Sequence, residues 1–245
     1  MNAATTQLAR RLTAEAVGTA LLVAVVVGSG IAAQRLSPDD IGIQLLENST
    51  ATVFGLATLI LLFGPVSGAH FNPAVSLADW LAGRRTGTGL SGVEAAAYSA
   101  AQTFGAIAGA VLANVMFDQA AAQISTHHRV DSGHLIGEIV ATAGLIALIF
   151  TLARTGRAAL APLAVAAWIG AAYWFTSSTS FANPAVTVGR IFTDSFAGIA
   201  PASAPGFIAA QLLGALLGLG LVAICYPTAP AAADEVVVPH PGTAD

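Results

Sequence analysis

The sequence predicts an all-α membrane protein with six transmembrane helices and two re-entrant half-helices arranged as an inverted repeat. Three observations carry this prediction: a strongly apolar composition, six apolar segments of spanning length, and two short motifs that nearly copy each other. Hydrophobic residues make up 56% of the 245 residues and charged residues only 9%. A soluble domain carries about 25% charged residues, so this chain has too little polar surface to be one.

The six apolar segments fall into two groups of three. A helix needs about 20 apolar residues to cross the ~30 Å hydrocarbon core of a bilayer. The segments cover roughly residues 12–33, 48–66, 93–116, 135–153, 160–178 and 207–226. We therefore expect a cytoplasmic N-terminus over 1–11, a membrane domain over 12–226 with repeats at about 12–116 and 135–226, and a disordered cytoplasmic tail over 227–245.

The two motifs each place Asn-Pro-Ala between apolar segments. They are Asn72, Pro73, Ala74 and Asn183, Pro184, Ala185. Asn is a favoured helix cap, and Pro is favoured at the first helical position, where its missing N–H would have no partner anyway. The motifs predict half-helices over 73–83 and 184–194, each about half as long as the hydrocarbon core is thick at ~1.5 Å per residue. Two half-helices meeting at their N-termini predict a pore rather than an anchor.

Three matched landmarks indicate a duplicated unit. Glu15 and Glu138 lie near the start of the first and fourth segments, and Gln102 and Gln211 lie in Ala-Gln-x-x-Gly-x-x-x-Gly sequences of the third and sixth. With the motif asparagines, these landmarks recur in the same order at offsets of 123, 111 and 109 residues. Because each unit contains an odd number of spans, the second copy is predicted to be inverted.

The charges favour a multi-pass protein of a cell inner (plasma) membrane with both termini in the cytoplasm. All nine basic residues are Arg, and with the N-terminus inside, six of them lie on the cytoplasmic side and three outside, as the positive-inside rule favours. The formal net charge of −4 argues against nucleic-acid binding. The sequence contains no nucleophile–base arrangement or phosphate loop, so we expect no enzyme activity and no cofactor. His127, His128 and His134 share a short polar loop with Arg129 and Asp131, which we expect to be solvated rather than to bind a metal.

These residues resemble the aquaporin (major intrinsic protein) superfamily. The resemblance rests on both Asn-Pro-Ala motifs, the Gly-Ala-His-Phe-Asn-Pro-Ala-Val sequence, the Ala-Glu-x-x-Gly-Thr sequence at 14–19, and the repeated Ala-Gln-x-x-Gly, and it covers about residues 12–226. It implies an aquaporin-like fold, one pore per subunit, a homotetramer in the lipid bilayer, and passage of water and small neutral solutes. The subgroup that it most resembles is the aquaglyceroporin-like channels associated with bacterial arsenic resistance.

The family's spacing from the motifs predicts the selectivity filter. The four positions are Thr52, Ala171, Ser180 and Val186, and Val186 stands where the family usually has Arg. Such a filter has no ring, no His and no cation. Because a guanidinium fills width and offers five donors whereas Val offers none, we expect a widened pore that passes glycerol-like polyols and metalloid hydroxides such as arsenite.

Several polar residues leave alternatives open. Arg190 follows Val186 by one helical turn; an ion pair with Asp194 or a snorkelling side chain is favoured, but Arg190 could instead replace the missing Arg in an ordinary water channel. His70 either contacts the solute or braces its loop. Glu15 and Glu138 are expected to accept hydrogen bonds from the re-entrant loops; in the less favoured alternative, a proton-coupled transporter, they would relay protons.

Overall fold

The computed structural model describes residues 3–84 and 87–227, which form helices and loops with no β-strand among them. Eight α-helices follow one another along this part of the chain. They are α1 (Ala3–Leu36), α2 (Ile41–Ser67), α3 (Pro73–Gly83), α4 (Gly92–Met116), α5 (Ser132–Arg154), α6 (Ala161–Phe175), α7 (Pro184–Gly189) and α8 (Ala204–Cys225). Two 3₁₀ turns, Ala158–Leu160 and Arg190–Phe192, adjoin α6 and α7.

The six predicted spans are confirmed as α1, α2, α4, α5, α6 and α8. Each has the length and hydropathy needed to cross a membrane, α6 together with the 3₁₀ turn Ala158–Leu160 that precedes it. The largest boundary difference is at α1, which begins nine residues before the apolar segment because polar residues continue the helix beyond it. The predicted disordered tail lies outside the described residues from position 228 onward, as does Arg85.

The two repeats pack in the same way. In the first repeat α1 lies along α4, and in the second α5 lies along α8. Glycines permit this approach: a Cβ added to Gly105 would lie 2.1 Å from the carbonyl oxygen of Ala16, and one added to Gly214 would lie 2.6 Å from that of Ile139. Both glycines belong to the repeated Ala-Gln-x-x-Gly sequences, so that sequence serves close helix packing within the bundle.

The half-helices differ in length. Helix α3 spans Pro73–Gly83, as predicted. Helix α7 ends at Gly189, so the predicted 184–194 helix is too long; a 3₁₀ turn follows over Arg190–Phe192, and Thr193 is already extended with φ −141° and ψ 129°. The last turn tightens where Gly189 packs against the backbone of Ala106, and the tighter winding changes the direction of the Arg190 side chain.

Candidate functional site

Each motif asparagine caps its own half-helix. The Asn72 side-chain oxygen accepts a hydrogen bond from the N–H of Ala74 at 2.9 Å. The Asn183 oxygen accepts from the N–H groups of Ala185 and Val186 at 3.0 and 3.2 Å. Both asparagines have extended backbone and are followed by proline at the first helical position. The caps bind N–H groups that a helix start would otherwise leave without an acceptor.

The same two side chains also link the re-entrant loops to each other. The amide nitrogen of Asn72 donates to the carbonyl of Ala182 at 2.7 Å, and that of Asn183 donates to the carbonyl of Phe71 at 2.7 Å. The half-helix N-termini therefore meet in the middle of the bundle. Because an amide group has two N–H donors, each asparagine retains one beyond this crossed pair.

Glu15 organises the first re-entrant loop. Its carboxylate accepts hydrogen bonds from the N–H groups of His70 and Phe71 at 3.0 and 2.7 Å. It also accepts from the Ser67 hydroxyl at 2.6 Å and from the Gln102 amide at 2.7 Å. A fully buried carboxylate is stable only with such partners, and here those partners include the backbone that leads to Asn72.

Glu138 does the same in the second loop. It accepts from the N–H groups of Phe181 and Ala182, both at 2.8 Å, and from the Gln211 amide at 2.6 Å. Neither Glu138 nor Glu15 is among the residues that line the central cavity. The described contacts are therefore those of loop supports.

Both re-entrant loops adopt a strained backbone. Five non-glycine residues in them have positive φ, which costs of order 1–3 kcal/mol each: Ala69, Phe71, Thr179, Ser180 and Ala182. With the N–H groups turned to the two carboxylates, no hydrogen bond among the described residues uses the carbonyls of residues 69–70 and 180–181. All four residues line the cavity, so these carbonyls are available as acceptors along one wall.

The cavity has a volume of about 100 Å³ and passes both asparagines. Its other walls are apolar stripes from the long helices. The residues of these stripes are Leu22 and Val26 of α1, Leu56 and Ile60 of α2, Leu145 and Ile149 of α5, and Ala161, Val165 and Ile169 of α6. A polar wall of loop carbonyls thus faces apolar walls of helix side chains.

Ala171 does not line this cavity, and its prediction as a filter residue is wrong. The cavity face of α6 carries residues four apart, Val165, Ile169 and Tyr173. Ala171 lies two positions from each of the last two, which turns it about 200° around the helix, and its side chain is exposed. Tyr173 takes its place, so the cavity has an aromatic ring that the predicted filter lacked.

The other three predicted filter positions line the cavity. The hydroxyl groups of Thr52 and Tyr173 are 3.1 Å apart and hydrogen-bonded. The hydroxyl oxygen of Ser180 is buried and has no hydrogen-bond partner among the described residues. Val186 adds an apolar surface. Polar and apolar groups are therefore side by side at this end of the cavity.

Arg190 also lines the cavity, contrary to the favoured prediction of an ion pair or a snorkelling side chain. It is only 3% exposed, and its guanidinium lies over the Phe181 ring, 3.4 Å from the centroid. Its Nε donates to the carbonyl of Ala197. Asp194 instead accepts from the N–H and hydroxyl of Thr126 at 2.8 and 3.0 Å. A cation is thus present one turn from Val186, against the predicted absence of one.

His70 lines the cavity from the first re-entrant loop, two residues before Asn72. Its Nδ1 is 2.9 Å from the Ser76 hydroxyl, and its buried Nε2 has no partner among the described residues. The ring packs edge-on against Tyr98, with the centroids 5.3 Å apart. Arg11 donates to the Tyr98 hydroxyl at 2.7 Å and to Glu94 at 3.0 Å. His70 therefore both faces the cavity and is braced from behind.

Sequence reasoning missed Tyr173 and Phe181. A signal for Tyr173 was present, because it continues the spacing of four set by Val165 and Ile169. A signal for Phe181 was also present, because it lies 111 residues after His70 and so takes the equivalent position in the second repeat. Both signals come from periodicity within the chain rather than from the distance to a motif.

Comparison with known proteins gives a consistent picture. Residues 2–180 match the family described as "Major intrinsic protein". The chain is 50% identical to "Aquaglyceroporin AqpS" of Rhizobium meliloti over 88% of its length and 89% of that protein's. It is 34% identical to the "Glycerol uptake facilitator protein" of Pseudomonas aeruginosa over 90% of its length and 91% of that protein's.

Among solved structures, the fold matches the aquaglyceroporin from Plasmodium falciparum. The TM-score is 0.63 at 19% sequence identity, with 90% of this chain and 98% of the other chain covered. At that level of identity the match concerns the fold, and it agrees with six long helices surrounding two half-helices.

Proposed function

The chain belongs to the major intrinsic protein family, whose members are membrane channels for water and small solutes, and from this premise we propose that it passes glycerol-like polyols and neutral metalloid hydroxides such as arsenite in addition to water. The observation that carries the proposal is that loop carbonyls form one wall of the cavity and apolar helix side chains form the others. A small polyol presents carbon on one side and hydroxyl groups on the other, and As(OH)₃ likewise presents hydroxyl groups without charge.

The pore constriction in this proposal consists of the two Asn-Pro-Ala motifs. The second N–H of each asparagine amide donates to the passing solute, and the loop carbonyls accept from it. The filter consists of Thr52, Tyr173, Ser180 and Val186 with Arg190 one turn further along, and His70 binds solute from the first re-entrant loop. The names of the two bacterial relatives, an aquaglyceroporin and a glycerol facilitator, support this solute class.

A second candidate is a channel selective for water. It is favoured by one observation, the burial of Arg190 in the cavity wall. In this case Arg190 takes the role of the Arg that the family usually has at the position of Val186, and it narrows the pore. The two candidates differ in one measurable respect, the glycerol permeability of the unaltered protein.

The assembly and placement are also part of the proposal. The channel acts as a homotetramer in the inner (plasma) membrane with both termini in the cytoplasm. Large apolar side chains exposed on several helices, including Phe54, Phe104 and Leu163, supply surfaces for lipid and for neighbouring subunits. The excess of Arg on the side that carries the N-terminus supports the orientation.

The test is stopped-flow flux into proteoliposomes that contain the purified protein. We expect the unaltered protein to pass water, glycerol and arsenite, with rates that do not change when an ionophore dissipates the proton gradient. Val186→Arg adds a guanidinium to the cavity and should slow glycerol and arsenite by about tenfold, or ~1.4 kcal/mol of barrier, while water is spared.

The control is Val186→Ile, which keeps an apolar side chain and should leave all three rates near those of the unaltered protein. Glycerol exclusion by the unaltered protein, together with its admission by Arg190→Ala, would instead establish the water-selective candidate. Flux that collapses with the proton gradient would contradict both.

A further inference from the structure

Two arginines contact the same aromatic ring at one end of the cavity. The guanidinium carbon of Arg190 lies 3.4 Å from the centroid of Phe181, and that of Arg129 lies 5.5 Å from it. Phe181 is only 4% exposed, and it lines the cavity together with Arg190. Arg129 is not among the lining residues, so it reaches the solute path only through its neighbours.

The same two arginines also share one turn of the backbone. Arg129 donates from Nε to the carbonyl of Gly198 at 2.7 Å and from Nη2 to that of Phe196 at 2.9 Å. Arg190 donates to the carbonyl between these two, that of Ala197. Three consecutive carbonyls therefore alternate between the two guanidinium groups, and a movement of Arg129 would release the turn that holds Arg190.

Arg129 is itself fixed from the start of α8. Its N–H donates to the Ser203 hydroxyl at 3.0 Å. Two residues earlier, the carbonyl of His127 accepts from the N–H of Ala200 at 2.7 Å. The backbone carbonyl of Arg190 accepts from the N–H of Ile199 at 3.2 Å. The contacts form a continuous path from α8 through Arg129 to the cavity wall.

Within the described part of the chain, no carboxylate forms an ion pair with either guanidinium. The ion pairs among residues 3–84 and 87–227 involve neither Arg129 nor Arg190. The nearby Asp194 is bonded to Thr126, and Asp131 is bonded to His134. Backbone carbonyls and one ring therefore hold both cations, and this arrangement depends on the planar, two-pronged shape of a guanidinium rather than on charge alone.

We infer that Arg129 is a positioning residue that fixes Arg190 in the cavity wall and so sets which solutes pass this end. The inference rests on the proposed function, because it requires that solutes move past Arg190. Lysine cannot replace Arg129 in this role, since a single ammonium cannot bond to the carbonyls of both Phe196 and Gly198 in the geometry of a fork.

The experiment compares the glycerol-to-water permeability ratio of variants in proteoliposomes. Arg190→Ala removes the cation and should raise the ratio. Arg129→Gln and Arg129→Lys should each raise it by about threefold, since both release Arg190 from its turn, whereas the double variant Arg129→Gln/Arg190→Ala should match Arg190→Ala alone because coupled residues are not additive. A ratio is the readout because a general loss of folded protein lowers both fluxes together.

Arg35→Gln is the matched control. Arg35 donates to the backbone carbonyl of Phe117, and its guanidinium carbon lies 5.2 Å from the centroid of the Phe117 ring. It does not line the cavity. The glycerol-to-water permeability ratio of Arg35→Gln should equal that of the unaltered protein. If the Arg129 variants do not fold, Phe181→Leu breaks the same path while it keeps apolar bulk, and it should also raise the ratio.

An unchanged ratio in a folded Arg129 variant, or in Phe181→Leu where those variants do not fold, would overturn the inference. A double variant whose change is the product of the single changes would overturn it as well. The proposed solute class can fail separately: glycerol exclusion by the unaltered protein would refute that class, yet a gain of glycerol flux in Arg129→Gln would still support the positioning role.

Discussion

The loop before Asn72 and the loop before Asn183 are held in the same way. In each, a buried carboxylate accepts from two successive backbone N–H groups and from a glutamine amide, and that amide also donates to a hydroxyl on the half-helix. The corresponding residues are Glu15, Gln102 and Ser76 in the first half and Glu138, Gln211 and Thr187 in the second. None of these six lines the cavity.

The residues that differ between the halves include those that face the solute. At the 111-residue spacing of the motif asparagines, His70 corresponds to Phe181 and Asp79 to Arg190. Asp79 accepts from the N–H of Leu90 at 2.7 Å and does not line the cavity, whereas Arg190 does. The duplication thus kept one scaffold at both ends and gave each end its own chemistry.

The largest expected effect comes from the shared carboxylates. Glu15→Gln or Glu138→Gln replaces one carboxylate oxygen, which accepts hydrogen bonds, with an NH₂ group, which donates them. The neighbouring backbone N–H groups are also donors, so they lose their acceptor. Leaving one or two buried donors unpaired costs about 1–3 kcal/mol each, so each change should lower the free energy of unfolding by about 3 kcal/mol. Thermal unfolding of the purified protein in detergent measures this.

The two variants should be equally destabilised if the scaffold is truly shared. The control is Asp39→Asn on an exposed loop, which should leave the unfolding temperature unchanged. A large loss in one half with little change in the other would contradict the equivalence of the two loops.

A smaller effect is expected where the halves differ. His70→Phe installs the residue type found at the equivalent position 181 and keeps a ring against Tyr98. It removes the bond to Ser76 and the buried Nε2, which has no partner among the described residues. Glycerol permeability should therefore fall by about threefold, as for the loss of one hydrogen bond of ~1 kcal/mol or less. Proteoliposome swelling measures it.

His128→Phe is the corresponding control, because that side chain is exposed on a loop, and its glycerol rate should stay unchanged. A His70→Phe protein with the normal glycerol rate would mean that His70 only braces its loop.

The smallest effect concerns a contact that the first half lacks, since the equivalent of Asp194 is Gly83. Hydrogen bonds from the backbone N–H and then the hydroxyl of Thr126 hold the pKa of Asp194 below its ordinary 3.8. A lowered folded-state pKa gives stability that is present above the ordinary pKa and is lost as the pH falls through the folded-state value.

Amide hydrogen exchange at Thr126 tests this contact. Asp194→Asn should exchange faster than the unaltered protein at about pH 6. The difference should shrink at a pH well below the ordinary pKa of 3.8, as the carboxylate is protonated through its lower folded-state pKa. A difference that stays the same at both pH values would mean that the charge of Asp194 does not hold the loop.

The helices and the polar scaffold could be predicted from the sequence because both follow from local patterns and from the repeat. Glu15 was expected to support its loop since a carboxylate in an apolar helix needs donors nearby, and the structure supplies them. The motif Asn and Pro identify a helix start by the bonds that they make or lack, and α3 begins at Pro73 accordingly.

The cavity wall was harder to predict because it depends on how the chain turns between elements. Counting back from Asn183 reached Ala171, but helix α6 ends at Phe175 and a turn intervenes, so the count does not preserve the helical face. The sequence does not predict the direction of the Arg190 side chain, because its partners Phe181 and Ala197 become neighbours only after the chain folds back. No spacing in the sequence indicates that Arg190 contacts the Phe181 ring.

The crossed amide bonds have a consequence for how the protein is made. The acceptor for Asn72 is the carbonyl of residue 182, which leaves the ribosome only after five of the six spans have been synthesised. Until then, the side-chain amide of Asn72 lacks this acceptor, and an unpaired polar group is costly in a lipid bilayer. The crossed hydrogen bonds between the two loops therefore form only after the second loop has been synthesised. A nascent chain that ends before residue 182 lacks both of them.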